Sequence, residues 1–356
     1  MPAGIAALLA CALSACPRGH TVASTAAPET QPSSVLRFIG RFDMTDPDHP
    51  RFSWPASAIA TRFTGPSLHV RLKDTGYDQL EVVVDGNPVG VVATSPFKED
   101  YQVVTGLSDG PHELLLSKRT EARMGEIALL GFDAKSPLSP PARAPARHIE
   151  LIGDSITAGY GNEGPGATCT GSLIALENEY LSYGALASRS LGAEHVTIAW
   201  SGRTIEEMGD LYDRTLATKA TARWDFTRWT PDVVVVNLGT NDFNRGDPGQ
   251  AAFTRPYLAL LARLRGLYAQ AHIVCALGPM LTDSYPPGAH ALTRARAYLT
   301  QVVTQVRGAG DTRVTMLEFP SQDFANGLGC DYHPSKKTHR LMAEQLAAAI
   351  RAEMSW

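Results

Sequence analysis

The stretch from Ile149 to Gly164 carries an acid and a hydroxyl, Asp154 and Ser155, to the end of an apolar run. It surrounds them with Gly153, Gly159, Gly161 and Gly164. Three chemistries use such an arrangement: a phosphate cradle, a dinucleotide loop and a serine nucleophile. A phosphate cradle needs four residues between its glycines and then a lysine. Here five residues separate Gly153 from Gly159, and Tyr160 follows. A dinucleotide loop needs Gly-x-Gly-x-x-Gly in the turn from strand to helix. Gly159, Gly161 and Gly164 meet that spacing, but too far beyond the strand, and Pro165-Gly166 follows instead of a helix. A serine nucleophile remains. The Gly-x-Ser-x-Gly elbow is not met at Ser155, because Thr157 stands in place of the second glycine. It is met at Gly106–Gly110 around Ser108, where the flanking β-type runs and Pro111 read as a hairpin turn.

A nucleophile at a strand end needs a scaffold to hold it. The chain has 356 residues, enough for two domains, and at 44% hydrophobic and 19% charged it can bury a large core. A formal net charge of −4 gives no pull toward nucleic acid. Residues 35–134 carry short β-type runs at Leu68–Leu72, Leu80–Val84, Val89–Ala93, Tyr101–Val104, Glu113–Leu116 and Ile127–Phe132. Asp85-Gly86 between two Val-rich runs is a hairpin signal. This pattern predicts an all-β, jelly-roll-like sandwich. Residues 135–147 contain four prolines and read as a stiff connector.

From residue 148 to 356 the period changes. Apolar runs at 149–152, 196–200, 233–238, 273–277 and 314–319 alternate with helical stretches at Glu179–Leu191, Phe253–Tyr268, Ala291–Val306 and Ser335–Ala352. On the last of these, Leu341, Met342, Leu346, Ala349 and Ile350 are expected to share a face. The alternation predicts an α/β domain of three layers, α/β/α, around a parallel sheet, with ligands at the carboxyl ends of the strands.

The first 16 residues, with an apolar stretch from Ile5 to Ala15, resemble an export signal ending at Leu13-Ser14-Ala15-Cys16, the form of a bacterial lipoprotein processing site. Cys16 is the expected lipid anchor and the only expected membrane attachment. Residues 17–34, rich in Ala, Thr, Pro and Ser, read as a disordered tether. The expected location is therefore outside the cytoplasm: periplasmic, on the outer membrane, or secreted. Such a compartment allows disulfides. Cys275 lies in an apolar run and reads as a buried small hydrophobe, whereas Cys169 and Cys330 lie in loop-like sequence and are the pair to join. Neither paired Cys-x-x-Cys nor His-Glu-x-x-His occurs, so no metal and no cofactor is expected.

Four segments in order resemble the signature blocks of the SGNH (GDSL-type) hydrolases: Gly153-Asp154-Ser155-Ile156, Ser201-Gly202-Arg203, Gly239-Thr240-Asn241-Asp242 and Asp331-Tyr332-His333-Pro334. The preceding sandwich, with the stretches at 198–203, 211–216, 224–243, 276–281 and 329–335, is similar to carbohydrate esterase family 2. That resemblance implies an esterase removing O-acetyl groups from plant polysaccharides such as xylan and glucomannan. It implies Ser155 as nucleophile and His333 as base and then acid. The oxyanion donors would be the N–H groups of Ser155 and Gly202 and the side chain of Asn241.

The superfamily's usual acid stands three residues before the histidine, and Cys330 occupies that position here. Asp331 is then the candidate acid of a triad, unless a backbone carbonyl orients His333 in a dyad. Pro334 suits the first turn of the closing helix and sets His333 just outside it. His339 reads as a helix-surface residue. Asp154 and Asp242 are expected to hold their loops. Among the aromatics near strand ends, Tyr285 is the expected sugar platform, with Tyr160 and Tyr332 as further contacts and Trp200 nearby.

The expected partner is an acetylated polysaccharide or oligosaccharide, bound by a monomer. Two other readings stay open. A lipid acylhydrolase of the same superfamily would need an apolar lid, and the loop Gly161–Gly171 is small and polar. A non-catalytic carbohydrate-binding protein would tolerate loss of Ser155 or His333.

Overall fold

The computed structural model describes residues 34–170 and 172–356. The expected export signal, Cys16 and the tether up to residue 33 lie outside the described residues.

Nine strands form the N-terminal part: β1 (Arg37–Ile39), β2 (Arg51–Phe52), β3 (Ala58–Thr64), β4 (Leu68–Asp74), β5 (Gln79–Val84), β6 (Asn87–Ala93), β7 (Asp100–Val104), β8 (Pro111–Lys118) and β9 (Ile127–Ala134). They make two antiparallel sheets, ordered β1-β3-β8-β5-β6 and β2-β9-β4-β7. Alternation along the strands places Val70, Leu72, Leu80, Val82, Leu116, Ile127 and Leu129 in one shared core. Asp85 and Gly86 both have positive φ, 52° and 80°, as a two-residue hairpin turn with right-handed strand twist requires. After β9 the proline-rich connector stays on the sandwich: Ser139 pairs with Arg62, and the Ala142 N–H donates to Glu113 at 3.1 Å.

The C-terminal part has five parallel strands, β10 (Arg147–Gly153), β11 (Ala193–Ala199), β12 (Val233–Asn237), β13 (His272–Leu277) and β14 (Val314–Glu318), in the order β11-β10-β12-β13-β14. Both faces are covered, which is why β12 is a run of four valines. The helices are α1 (Ser155–Ala158), α2 (Tyr183–Ser190), α3 (Ile205–Leu211), α4 (Gln250–Leu267), α5 (Ala291–Gly308) and α6 (Lys336–Met354). Met208 of α3, Tyr257 of α4 and Leu299 of α5 enter one core cluster, and Tyr183 of α2 and Leu346 of α6 enter the other. The result is a three-layer α/β/α domain behind an antiparallel β-sandwich.

The closing helix differs from its sequence reading. It begins at Lys336, with Ser335 as N-cap accepting from the Thr338 N–H, so Pro334 precedes the cap. His339 is buried rather than on the surface. Its Nδ1 accepts from the Tyr183 N–H at 3.0 Å, its ring stacks on Tyr183, and burial pushes its pKa down to about 3. Leu341 points outward at 40% exposure, and Thr338 and His339 take the inner face with Met342 and Leu346. Periodicity counted only apolar residues, so a histidine satisfied by a backbone donor escaped it.

Arg41 joins the two parts. It is 1% exposed, bonds Glu150 Oε1 of β10 at 3.2 Å and lies over the ring of Tyr212 at 4.8 Å. Tyr212 in turn donates to Glu150 Oε2 at 2.6 Å. Deleting the guanidinium leaves a buried carboxylate without its counter-charge. Arg41→Ala is expected to cost about 3–5 kcal/mol, seen as a lower urea midpoint at unchanged slope.

Candidate active site

β10 ends at Gly153 and the chain turns at once into α1. Asp154 caps that helix, its carboxylate accepting from the Ile156 N–H at 3.0 Å. This turn lifts Ser155 to the carboxyl end of the sheet, in the first helical position, where its own N–H has no intrahelical acceptor. His333 comes from the other end of the domain, between β14 and α6. Its Nε2 lies 2.8 Å from Ser155 Oγ, across 178 positions of sequence.

The glycines of the opening motif find their purpose here. Gly161 packs against the segment that carries His333, and a Cβ on it would lie 2.5 Å from Cys330 Cβ. The Gly161 carbonyl accepts from the Cys330 N–H at 2.9 Å. Cys330 is joined to Cys169 by a disulfide, and Cys275 is a buried free thiol. The loop is therefore neither a phosphate nor a dinucleotide cradle. It is the seat on which the histidine loop rests.

His333 Nδ1 lies 3.0 Å from the Cys330 carbonyl and 3.1 Å from the Asp331 carbonyl. Two backbone oxygens can meet one imidazole N–H because the chain makes a left-handed turn, with φ of 50° at Asp331 and 62° at Tyr332. Neither residue is glycine, so this turn stores backbone strain of about 1–3 kcal/mol per residue. It also swings the Asp331 carboxylate away. That carboxylate accepts from Tyr160 Oη at 2.7 Å and makes no hydrogen bond to the ring of His333. The side-chain contact expected of a triad acid is thus absent between Asp331 and His333. Burial lowers the pKa of His333 below its ordinary value, against the opposing pull of the two carbonyls and of Asp331. The neutral ring, the form that can accept a proton, is favoured.

A cleft of about 440 Å³ opens over this pair, and Ser155, Gly202, Asn241, Asn244 and Met280 line it. Gly202, with φ of 78°, follows β11 in the loop to α3. Among the described residues, the N–H groups of Ser155 and Gly202 have no acceptor. Asn241 also faces the cleft, but its amide hydrogens point to Asp154 Oδ2 at 3.2 Å and the Arg203 carbonyl at 3.1 Å. An incoming oxyanion would compete with these two long bonds. Asp154 and Asp242 hold loops: Asp242 accepts from the Ile205 N–H at 3.2 Å, and burial pushes Asp154 up to about 7 and Asp242 up to about 6.

The aromatic residues divide. Tyr160 lines the cleft, but its ring packs on His333 at 4.4 Å and its hydroxyl is committed to Asp331. Tyr285 and Tyr332 are exposed at 71% and 60% on the surrounding loops and do not line the cleft itself. Trp200 is half-buried beneath the Arg203 guanidinium. The elbow-like Gly106–Gly110 is a turn between β7 and β8, where His112 bridges Ser108 Oγ at 3.2 Å and Asp85 at 2.8 Å.

Two residues absent from the sequence reading complete the cleft, and both come from the sandwich. Arg123 lines it directly. Glu121, fully buried, bonds the Arg123 Nε–H with one carboxylate oxygen and accepts from the Ser201 N–H at 2.7 Å with the other. Charged residues in a turn after a β-strand are ordinary surface chemistry, so no local signal distinguishes them.

A strand-end serine paired with a histidine, beside two unpartnered backbone N–H groups, defines a hydrolase of the SGNH type, a carboxylic ester hydrolase. Residues 38–141 match the carbohydrate esterase 2 N-terminal model, and residues 151–341 match the GDSL-like lipase/acylhydrolase family. The chain is 40% identical over 339 residues to the cellulase/esterase CelE of Acetivibrio thermocellus, covering 92% of this chain and 40% of that protein. It therefore spans well under half the length of that relative. It is 30% identical over 324 residues to an acetylxylan esterase / glucomannan deacetylase of Cellvibrio japonicus, covering 84% of this chain and 85% of the other. A family two carbohydrate esterase from Clostridium thermocellum, solved in complex with cellohexaose, superposes with a TM-score of 0.85 at 39% identity, covering 90% of this chain and 99% of that one. The chain belongs to the GDSL-like lipase/acylhydrolase family, in its carbohydrate esterase 2 branch.

Proposed function

We propose that this protein is a serine esterase that removes O-acetyl groups from plant-type polysaccharides, xylan and glucomannan, through a Ser155–His333 dyad. The observation that carries the reading is the 2.8 Å contact between Ser155 Oγ and His333 Nε2, with two backbone carbonyls on the opposite nitrogen. Ser155 Oγ attacks the acetyl carbonyl and gives its proton to His333 Nε2. The oxyanion is held by the N–H groups of Ser155 and Gly202, with Asn241 as third donor. As the tetrahedral adduct collapses, His333 returns the proton to the departing sugar oxygen, leaving an acetyl-serine. Water, activated by the same imidazole, then attacks the acetyl carbonyl and frees acetate. The Cys330 and Asp331 carbonyls hold the ring in the tautomer this needs and face the imidazolium when it forms.

The names of the relatives support a polysaccharide substrate, and a cleft lined by Ser201, Thr240, Asn241 and Asn244 beside Met280 supports a short acyl group. Tyr285 and Tyr332, exposed on the loops around the cleft, are the proposed contacts for sugar rings beyond the acetylated one, and Tyr160 a contact within it. Export, with or without a lipid at Cys16, would place the enzyme where such polymers occur.

The test is acetate release by purified protein from acetylated xylan and acetylated glucomannan, beside a series of 4-nitrophenyl esters. We expect acetate release from both polymers and an acetyl preference over butyryl of at least about tenfold in kcat/KM, the range one or two ill-fitting methylenes produce. A preference for octanoyl esters would instead support a lipid acylhydrolase.

A further inference from the structure

The buried carboxylate of Glu121 lies in the sandwich, yet one of its oxygens accepts the Ser201 N–H at 2.7 Å. Ser201 directly precedes Gly202, which lines the cleft and whose N–H has no acceptor among the described residues. We propose that Glu121 is a positioning residue for ester hydrolysis: it holds the loop after β11 so that the Gly202 N–H stays aimed at the oxyanion. The inference rests on the esterase reading of the same site.

The anchoring behind Glu121 suits that task. Lys118, 0% exposed, donates to the Thr120 and Glu121 carbonyls at 2.9 Å each and pairs with Asp78 at 2.6 Å. The Glu121 N–H donates to the carboxylate of Glu177, a residue of the α/β part. Next to it, the Glu179 N–H donates to the Arg119 carbonyl at 2.9 Å. Residues 118–121 are thus tied to both sides of the domain junction, and only the Glu121 side chain reaches the loop after β11. That loop's other ties run from the Trp200 N–H to the Gly153 carbonyl at 3.2 Å, from the Arg203 N–H to the Trp200 carbonyl at a long 3.4 Å, and from the Asn241 amide to the Arg203 carbonyl at 3.1 Å. A glycine at positive φ does little to resist rotation of its peptide. Without the bond to Ser201, the peptide that presents the Gly202 N–H is held across the turn only by the long 3.4 Å bond from Arg203 to Trp200 and can tilt, and a misplacement of about 1 Å can cost roughly 100-fold in turnover.

Two conservative substitutions separate position from charge. Glu121→Gln keeps an oxygen within reach of the Ser201 N–H and loses the charge. Glu121→Asp keeps the charge and withdraws the oxygens by one methylene. Steady-state kinetics on 4-nitrophenyl acetate, well below each variant's melting temperature, and hydrogen exchange at the Ser201 amide decide between them. We expect Glu121→Asp to lose about 100-fold in kcat with KM within about twofold, and to exchange the Ser201 amide faster. Glu121→Gln is expected to recover at least tenfold of that loss and to keep the amide protected.

The reverse order, or wild-type kcat and protection in Glu121→Asp, overturns the inference. A wild-type protein that hydrolyses no ester overturns the esterase reading instead. The Ser201 exchange rates then still decide whether Glu121 holds the loop: faster exchange in Glu121→Asp supports it, and unchanged exchange overturns it.

Discussion

Ser155→Ala is expected to lower kcat on 4-nitrophenyl acetate by about 10⁶-fold, the order of loss found when the nucleophile of a serine hydrolase is deleted. The loss is large because the hydroxyl is the bond-forming atom. It is not total, because the N–H groups of Ser155 and Gly202 are backbone and remain. The fold should be untouched. Ser155 Oγ has His333 Nε2 as its sole hydrogen-bond partner among the described residues, and alanine is at least as good as serine in a helical position. Circular dichroism and the melting temperature check the second half of the expectation. A correctly folded Ser155→Ala protein with near-wild-type turnover would remove Ser155 as the nucleophile.

The second large effect separates two neighbours. His333→Ala is expected to lose activity on the scale of Ser155→Ala, since the proton has no other acceptor at 2.8 Å from the hydroxyl. Asp331→Ala is expected to lose less than about tenfold, because residue 331 reaches the imidazole through its carbonyl, which alanine retains. What Asp331→Ala does remove is the partner of Tyr160, the ring packed on His333. Equal and severe losses in the two variants would establish a triad.

The pH profile gives an independent check on the same residue. Burial favours neutral His333, so its pKa lies below the ordinary 6.5. The neutral form is the base, and activity is full above that pKa. The acid limb of kcat/KM is expected to fall only as pH drops through a midpoint below 6.5. A midpoint above 6.5 would point to an imidazolium held by a carboxylate, the signature of a triad acid.

Much of this protein is legible in local pattern. The apolar runs at 149–152, 196–200, 233–238, 273–277 and 314–319 each lie within or overlap a parallel strand, because strands of a sheet covered on both faces are predominantly apolar; the exception, Glu150 in β10, is buried with Arg41 and Tyr212 as its partners. The Asp85-Gly86 turn is legible because few residue pairs accept two successive positive φ values. Strands β1 and β2, of three and two residues, are too short to show a period. His339 and Leu341 exchange faces because burial depends on what α6 packs against, and the buried histidine is satisfied by Tyr183, 156 positions away.

By itself, then, the sequence determined which residue types stand at the strand ends: Ser155 after β10, Ser201-Gly202 after β11, Asn241 after β12 and His333 before α6. Those are local properties, set by a turn, a cap and a strand boundary within a few residues. Only the tertiary structure decided which groups touch. It brought His333 to Ser155, turned the Asp331 carboxylate toward Tyr160, left two carbonyls to orient the imidazole, and carried Glu121 from the sandwich to the Ser201 amide. The physical reason is that a left-handed turn in non-glycine residues, and a hydrogen bond spanning 80 positions between Ser201 and Glu121, are stable only when the rest of the fold pays the cost of forming them.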